Sequence, residues 1–152
     1  LGLPAVAYQG NWIPHALRPA TEDGVFFVGD SAGHCLPLTA EGIRTALYFG
    51  LACGRELRAV IEGASTREQA LARYGAFSDA HEWKYRWLLR SQRAIGRLTT
   101  TRAVAAMTWG FTRRSFCDWA FDHYMRIAPP SFVADGVDRR TPALSIPVAG
   151  AA

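Results

Sequence analysis

The residues whose types and spacing suit chemistry are concentrated between Gly24 and Arg44. They run Gly24-Val25-Phe26-Phe27-Val28-Gly29-Asp30-Ser31-Ala32-Gly33, then Pro37, then Glu41-Gly42-Ile43-Arg44. Val25 to Val28 is a β-branched and aromatic run bounded by Gly24 and Gly29, which predicts a short buried strand. Asp30 then falls just past the carboxyl end of that strand. Open α/β sheets bind ligands there, and a carboxylate can accept hydrogen bonds from sugar-like hydroxyls. A helix is expected to begin near Glu41 or Gly42, after the loop that holds Pro37. Its first backbone N–H groups lack intrahelical acceptors, and with the positive dipole end they suit an electron-rich or anionic ligand atom.

A rival chemistry uses the same residues. Gly29-Asp30-Ser31-Ala32-Gly33 fits Gly-x-Ser-x-Gly, the tight strand-to-helix turn that exposes the nucleophile of α/β-hydrolases. An elbow serine opens straight into a helix, whereas Pro37 and Leu38-Thr39-Ala40 delay the helix here. An Asp and a later His are also needed. The pairs in that order, Asp79/His81 and Asp118 or Asp122 with His123, are each crowded into one helical segment. Ser31 is therefore expected to be a small loop residue, and Asp30 by itself is equally an ordinary cap.

Taken together, the apolar strand, Gly29-Asp30-Ser31-Ala32-Gly33, Pro37 and Glu41-Gly42-Ile43 resemble the second FAD-binding motif of the flavoprotein hydroxylase and geranylgeranyl reductase superfamily. The resemblance covers about residues 24 to 54. It implies that Asp30, following Gly29, binds a ribityl hydroxyl of FAD and that Pro37 lies against the isoalloxazine ring. It also implies that Gly42, Ile43 and Arg44 present backbone N–H groups to the flavin N1/O2 edge. Ala40 stands where the family usually has Gly, so a positive φ there would place Ala under strain. Gln9-Gly10-Asn11-Trp12-Ile13-Pro14 resembles the strand by which reductase-type members re-enter the flavin domain.

The family's pyrophosphate-binding Gly-x-Gly-x-x-Gly turn is not formed by any of the fourteen glycines. The chain opens on Leu1 in an apolar run, with no charged start of a signal peptide. We therefore read it as the carboxyl-terminal part of a longer flavoenzyme. The expected fold is α/β: the end of an FAD-binding Rossmann-like domain over 1–62, a mainly helical extension over 63–130, and an extended or disordered tail over 131–152. The strand has no parallel neighbour in the chain, so apolar surface is expected to be exposed where the rest of the sheet belongs.

The elements that position the motif follow from local signals. Glu22-Asp23-Gly24 reads as a turn. Ile43, Leu47, Leu51, Leu57 and Ile61 recur near helical spacing. Ala46, Gly50 and Gly54 leave one face nearly bare, suited to close packing on the nucleotide-binding domain, and Gly63 ends the helix. Ser65 or Thr66 can cap a second helix with Glu68 or Gln69 as partner. That helix is expected to run to about Leu98, interrupted or bent near Gly75. Ala103 to Phe111 and Phe116 to Ile127 are further helices, stopped by Pro129-Pro130.

The 152 residues carry a net charge of +4, with 49% hydrophobic and 20% charged residues, an ordinary globular balance. From Trp83 to Cys117 there are eight Lys or Arg and no Asp or Glu. On a helix Arg86, Arg90, Arg93 and Arg97 share one arc, beside an apolar arc of Trp83, Trp87, Ala94, Ile95 and Leu98. The expected arrangement packs the Trp face on the flavin domain and leaves the Arg face in solvent. The competing one is peripheral contact with an anionic membrane through residues 83–117. No nucleic-acid-binding pattern is present. Cys35, Cys53 and Cys117 lack metal or Cys-x-x-Cys spacing and read as reduced thiols of a cytoplasmic protein, Cys35 as a packed residue. The four histidines form no metal motif, and no metal is assigned.

These observations lead to an FAD-dependent oxidoreductase, geranylgeranyl reductase-like, acting on a small-molecule or lipid substrate and compatible with NAD(P)H as electron donor. An FAD-dependent aromatic hydroxylase or halogenase is the alternative. The α/β-hydrolase and a non-catalytic membrane-docking piece are remoter. No catalytic residue is assigned, because the flavin carries the central chemistry in this family.

Overall fold

The computed structural model describes residues 13–14 and 16–129, and they are mostly helical. A two-stranded antiparallel sheet pairs β1 (Thr21–Glu22) with β2 (Val25–Phe26). A 3-10 turn follows over Gly29–Ala32. Five helices complete the order: α1 (Ile43–Ile61), α2 (Arg67–Asp79), α3 (Glu82–Gly96), α4 (Thr100–Phe111) and α5 (Arg114–Met125). The re-entry strand resemblance at Gln9–Trp12 and the tail 131–152 lie outside the described residues.

The strand expected at Val25 to Val28 is shorter, and it is not buried. Asp23 (φ 50) and Gly24 (φ 77) make a two-residue turn with positive φ at both positions, the geometry that Asp-Gly favours in hairpins. The turn folds Val25 back onto Glu22 and Phe26 onto Thr21, an antiparallel pairing. Val25 is 48% exposed. The parallel sheet of a Rossmann-like domain is not among the described elements.

Helix ends follow local chemistry. Gly63 (φ +72) terminates α1, donating to Val60 O at 3.1 Å. Thr66 and Gln69 form a reciprocal capping box at the start of α2. The long helix expected to reach Leu98 is interrupted, but at Ala80–His81 and not near Gly75. His81 is buried there, its Nδ1–H donating to Phe77 O at 2.8 Å while its backbone N–H turns back to Ser78 O at 3.0 Å. Gly75 stays inside α2, where a Cβ would lie 2.9 Å from Thr21 Oγ1.

One core joins the hairpin, α1, α2, α3 and the end of α5, from Ala20 to Ala128. The α1 face turned into it is Thr45, Tyr48, Phe49, Ala52, Cys53 and Glu56. Ile43, Leu47, Leu57 and Ile61 face outward, in one row with Gly50 and Gly54. Gly50 meets Val28 Cγ1, but nothing lies within 4 Å of a Cβ at Gly54. Apolar surface is thus exposed at Val25 and along this row. On α3 the buried side chains are Tyr85 and Leu88, so Trp83 and Trp87 are not the packing face expected of them. Among the described residues no helix is long and apolar enough to cross a membrane.

Candidate functional site

The turn after β2 is held by its own backbone and by one histidine. Gly29 (φ +68) donates its N–H to His34 Nδ1 at 3.1 Å, and His34 returns its N–H to Gly29 O at 3.0 Å. Gly33 (φ +67) donates to Asp30 O at 3.0 Å. A Cβ at Gly33 would fall 2.1 Å from Ala16 O, because the chain at Ala16 and Leu17 passes directly over it. Only glycine satisfies both the positive φ and that approach.

His34 is fully buried, stacked on Phe49 with centroids 3.7 Å apart. Since Nδ1 accepts from Gly29, Nε2 carries the proton and donates to Ser78 Oγ at 3.1 Å. Burial, then the neighbouring His81, pushes its pKa down to about 3. It is a neutral clamp that fixes the turn carrying Asp30. Local patterning gave no signal for this role, because Ser78 and Phe49 reach it only through the tertiary fold.

The loop to α1 closes on itself. Leu36 N–H donates to Glu41 O at 2.9 Å and Ala40 N–H to Leu36 O at 3.0 Å. Cys35, Leu36 and Pro37 are buried inside it. Leu38 (φ 72) and Ala40 (φ 53) occupy left-handed backbone, and Leu38 N–H is held by Gln92 Oε1 on α3 at 2.7 Å. Ala40 thus has the positive φ that explains glycine at this position in the resembled motif. Two strained residues in one loop locate stored strain at the candidate site. Burial, then Asp30 and Glu41, push the Cys35 thiol above its ordinary pKa, as suits a packed, protonated residue.

The α1 N-terminus meets Asp30. Gly42 is the N-cap and supplies no capping side chain. Among the described residues, the N–H groups of Ile43 and Arg44 have no acceptor. A Cβ at Gly42 would lie 3.5 Å from Asp30 Oδ1 and 3.7 Å from Cys35 Sγ. The Asp30 carboxylate is exposed and receives no hydrogen bond from a described residue. A hydrogen-bond acceptor and a set of unpaired donors therefore share one uncapped edge. That set fits a ligand bearing both hydroxyls and an electron-rich ring edge, as FAD does.

The Arg44 side chain is committed elsewhere. Its Nε and Nη2 donate to the two Glu41 carboxylate oxygens at 2.7 and 2.8 Å, and Nη1 donates to Ala128 O at 2.6 Å. The guanidinium lies 5.0 Å from the Tyr124 ring centroid, and Tyr124 OH donates to Glu41 Oε2 while the Thr39 hydroxyl lies 3.2 Å from the same phenol oxygen. Arg44 holds the Glu41 carboxyl below the usual carboxylate range, against the opposing effect of burial. This knot ties α5 and the segment after it to the loop. Only the Arg44 backbone remains for a ligand.

Ser31 Oγ donates to Val28 O at 2.8 Å. Both ring nitrogens of His34 and of His81 are engaged by other groups, so neither serves it as a base. No group of metal-ligating side chains occurs among the described residues. Of the residues singled out from sequence, Gly29, Asp30 and Gly42 are drawn together, Ile43 and Arg44 contribute backbone, and Pro37 sits buried in the connecting loop.

A stretch of 59 residues is 39% identical to digeranylgeranylglycerophospholipid reductase 3 of Methanosphaera stadtmanae. It spans 39% of this chain and 15% of that reductase. No family model and no solved structure matches the chain. The partial match supports a reductase-like origin for this chain.

Proposed function

We propose that the chain is the carboxyl-terminal part of an FAD-dependent reductase of isoprenoid double bonds. In this reading 1–62 completes an FAD-binding domain and 63–130 is its helical extension, in a cytoplasmic enzyme. The observation that carries the reading is the juxtaposition of the Asp30 carboxylate with the uncapped α1 N-terminus, across the gap left by Gly42. The partial match to a reductase supports it.

When bound, FAD supplies hydride chemistry at a carbon–carbon double bond, with NAD(P)H as its source of electrons. Asp30 would accept a hydrogen bond from a ribityl hydroxyl. The N–H groups of Gly42, Ile43 and Arg44 would hold the electron-rich edge of the flavin ring, where the helix dipole favours negative charge by about 0.3–1 kcal/mol. Gly29, clamped by His34, sets the position of Asp30, and the Pro37 loop would flank the bound flavin.

The test is reduction of a geranylgeranyl lipid by the protein expressed from its complete coding sequence, with NAD(P)H or chemically reduced flavin supplying electrons. The expected product is heavier by one H2 per double bond reduced. A flavin-loaded protein that leaves the lipid unchanged would refute the substrate class.

A further inference from the structure

We propose that the outer face of α3 docks on an anionic lipid surface. The helix has two opposed sides. Its inner side buries Tyr85 and Leu88 and grips the candidate loop: Tyr85 OH donates to His34 O at 2.7 Å, and Gln92 Oε1 accepts from Leu38 N–H. Its outer side carries Trp83, Trp87, Arg86, Arg90 and Arg93, with Arg97 just beyond the helix, all exposed. Trp83 is 65% and Trp87 54% exposed, and with Arg86 and Arg90 they line one shallow groove.

Such exposure of two indoles has no core to explain it, whereas an interface with headgroups suits a ring that is apolar at one end and polar at the other. The charge pattern selects the occupant. Arg86 is paired with Glu82 at 2.8 Å, but Arg90, Arg93 and Arg97 have no acidic partner among the described residues. No acidic residue occurs from Trp83 to Cys117, and beyond the Arg86–Glu82 pair the face keeps the charge of Arg90, Arg93 and Arg97. A neutral apolar partner would leave these guanidinium groups unmatched, and an anionic bilayer matches them while accepting the tryptophans. Because the inner side of the same helix holds the loop, docking would fix the height and orientation of the candidate site over the lipid. The docking face shares no residue with Asp30 or the α1 N-terminus, so it stands or falls independently of the flavin reading.

The experiment is co-sedimentation with vesicles of phosphatidylcholine alone and of phosphatidylcholine containing phosphatidylglycerol, with the indole emission recorded in parallel. Binding only to the anionic vesicles, weakened by salt and accompanied by a blue shift of the emission, is expected. The Arg90→Gln/Arg93→Gln variant should partition about 25-fold less, at about fivefold per arginine removed. Trp83→Ala/Trp87→Ala should abolish most of the blue shift, and Arg58→Gln, away from the face, should change neither readout. Circular dichroism confirms that each variant keeps its helices, since all the substituted side chains are at least partly in solvent. Equal partitioning onto neutral and anionic vesicles, no partitioning onto either, or an unaffected Arg90→Gln/Arg93→Gln variant would overturn the proposal.

Discussion

Lowering the pH from neutral to about 5 should destabilise the fold through two buried histidines, before any carboxylate contributes. His34 is held at about 3 and His81 at about 4, both pushed down from an ordinary 6.5 chiefly by burial. Both are hydrogen-bonded as neutral rings: His34 accepts from Gly29 N–H, and His81 Nδ1–H donates to Phe77 O while Tyr48 OH lies 3.3 Å from Nε2. In the unfolded chain each takes up a proton below its ordinary value, and in the folded chain neither does until far lower. Stability is therefore complete above that value and falls as pH drops through the interval between it and about 4. At 1.36 kcal/mol per unit, each histidine removes about 2 kcal/mol by pH 5, about 4 kcal/mol together. Total stabilities of about 5–15 kcal/mol make this a large fraction. The pair that lowers Glu41 acts in the same sense, but only below the ordinary carboxyl value of 4.5. Urea unfolding at about pH 7.5 and about pH 5 measures the difference, and His81→Gln should roughly halve its pH slope. A midpoint that does not move between the two conditions would refute the neutral-clamp assignment of His34 and His81.

Ala40→Gly should raise stability by about 0.5–1 kcal/mol, because relief of a left-handed alanine at about 1–2 kcal/mol exceeds the added freedom of glycine in the unfolded chain; thermal or urea unfolding checks it, and a destabilised variant would contradict the φ of 53. Gly33→Ala should cost about 3 kcal/mol or more, since its methyl would meet Ala16 O at 2.1 Å in a backbone of positive φ; unaltered unfolding would show that the chain at Ala16 does not cross the turn.

Signals confined to a few neighbouring residues were legible in the sequence. The Thr66/Gln69 box, the stop at Gly63 and the turn at Asp23-Gly24 each depend on one backbone turn and its own side chains. The direction in which an amphipathic helix faces was not legible. Periodicity made α1 a helix, but it could not tell whether the row of Ile43 and Leu47 or the row of Phe49 and Ala52 meets the core. On α3 the same ambiguity put the tryptophans inside, whereas Tyr85 and Leu88 occupy that side. The break at Ala80–His81 depends on burying His81 against Tyr48 and Phe77, a tertiary contact that overrides helix continuity. At the candidate site, the motif raised the question of a positive φ at Ala40, and the backbone there has φ 53. The Arg44–Glu41–Tyr124–Ala128 knot was not legible, because its halves lie more than eighty residues apart in sequence.

The flavin content of the protein expressed from its complete coding sequence tests the central claim most directly. Visible absorption bands of bound FAD are expected, and Asp30→Ala should weaken retention by about 1–3 kcal/mol through loss of the hydroxyl's acceptor, roughly fivefold to 150-fold in affinity. A colourless protein that cannot be reconstituted with FAD, or equal retention after Asp30→Ala, would contradict the account.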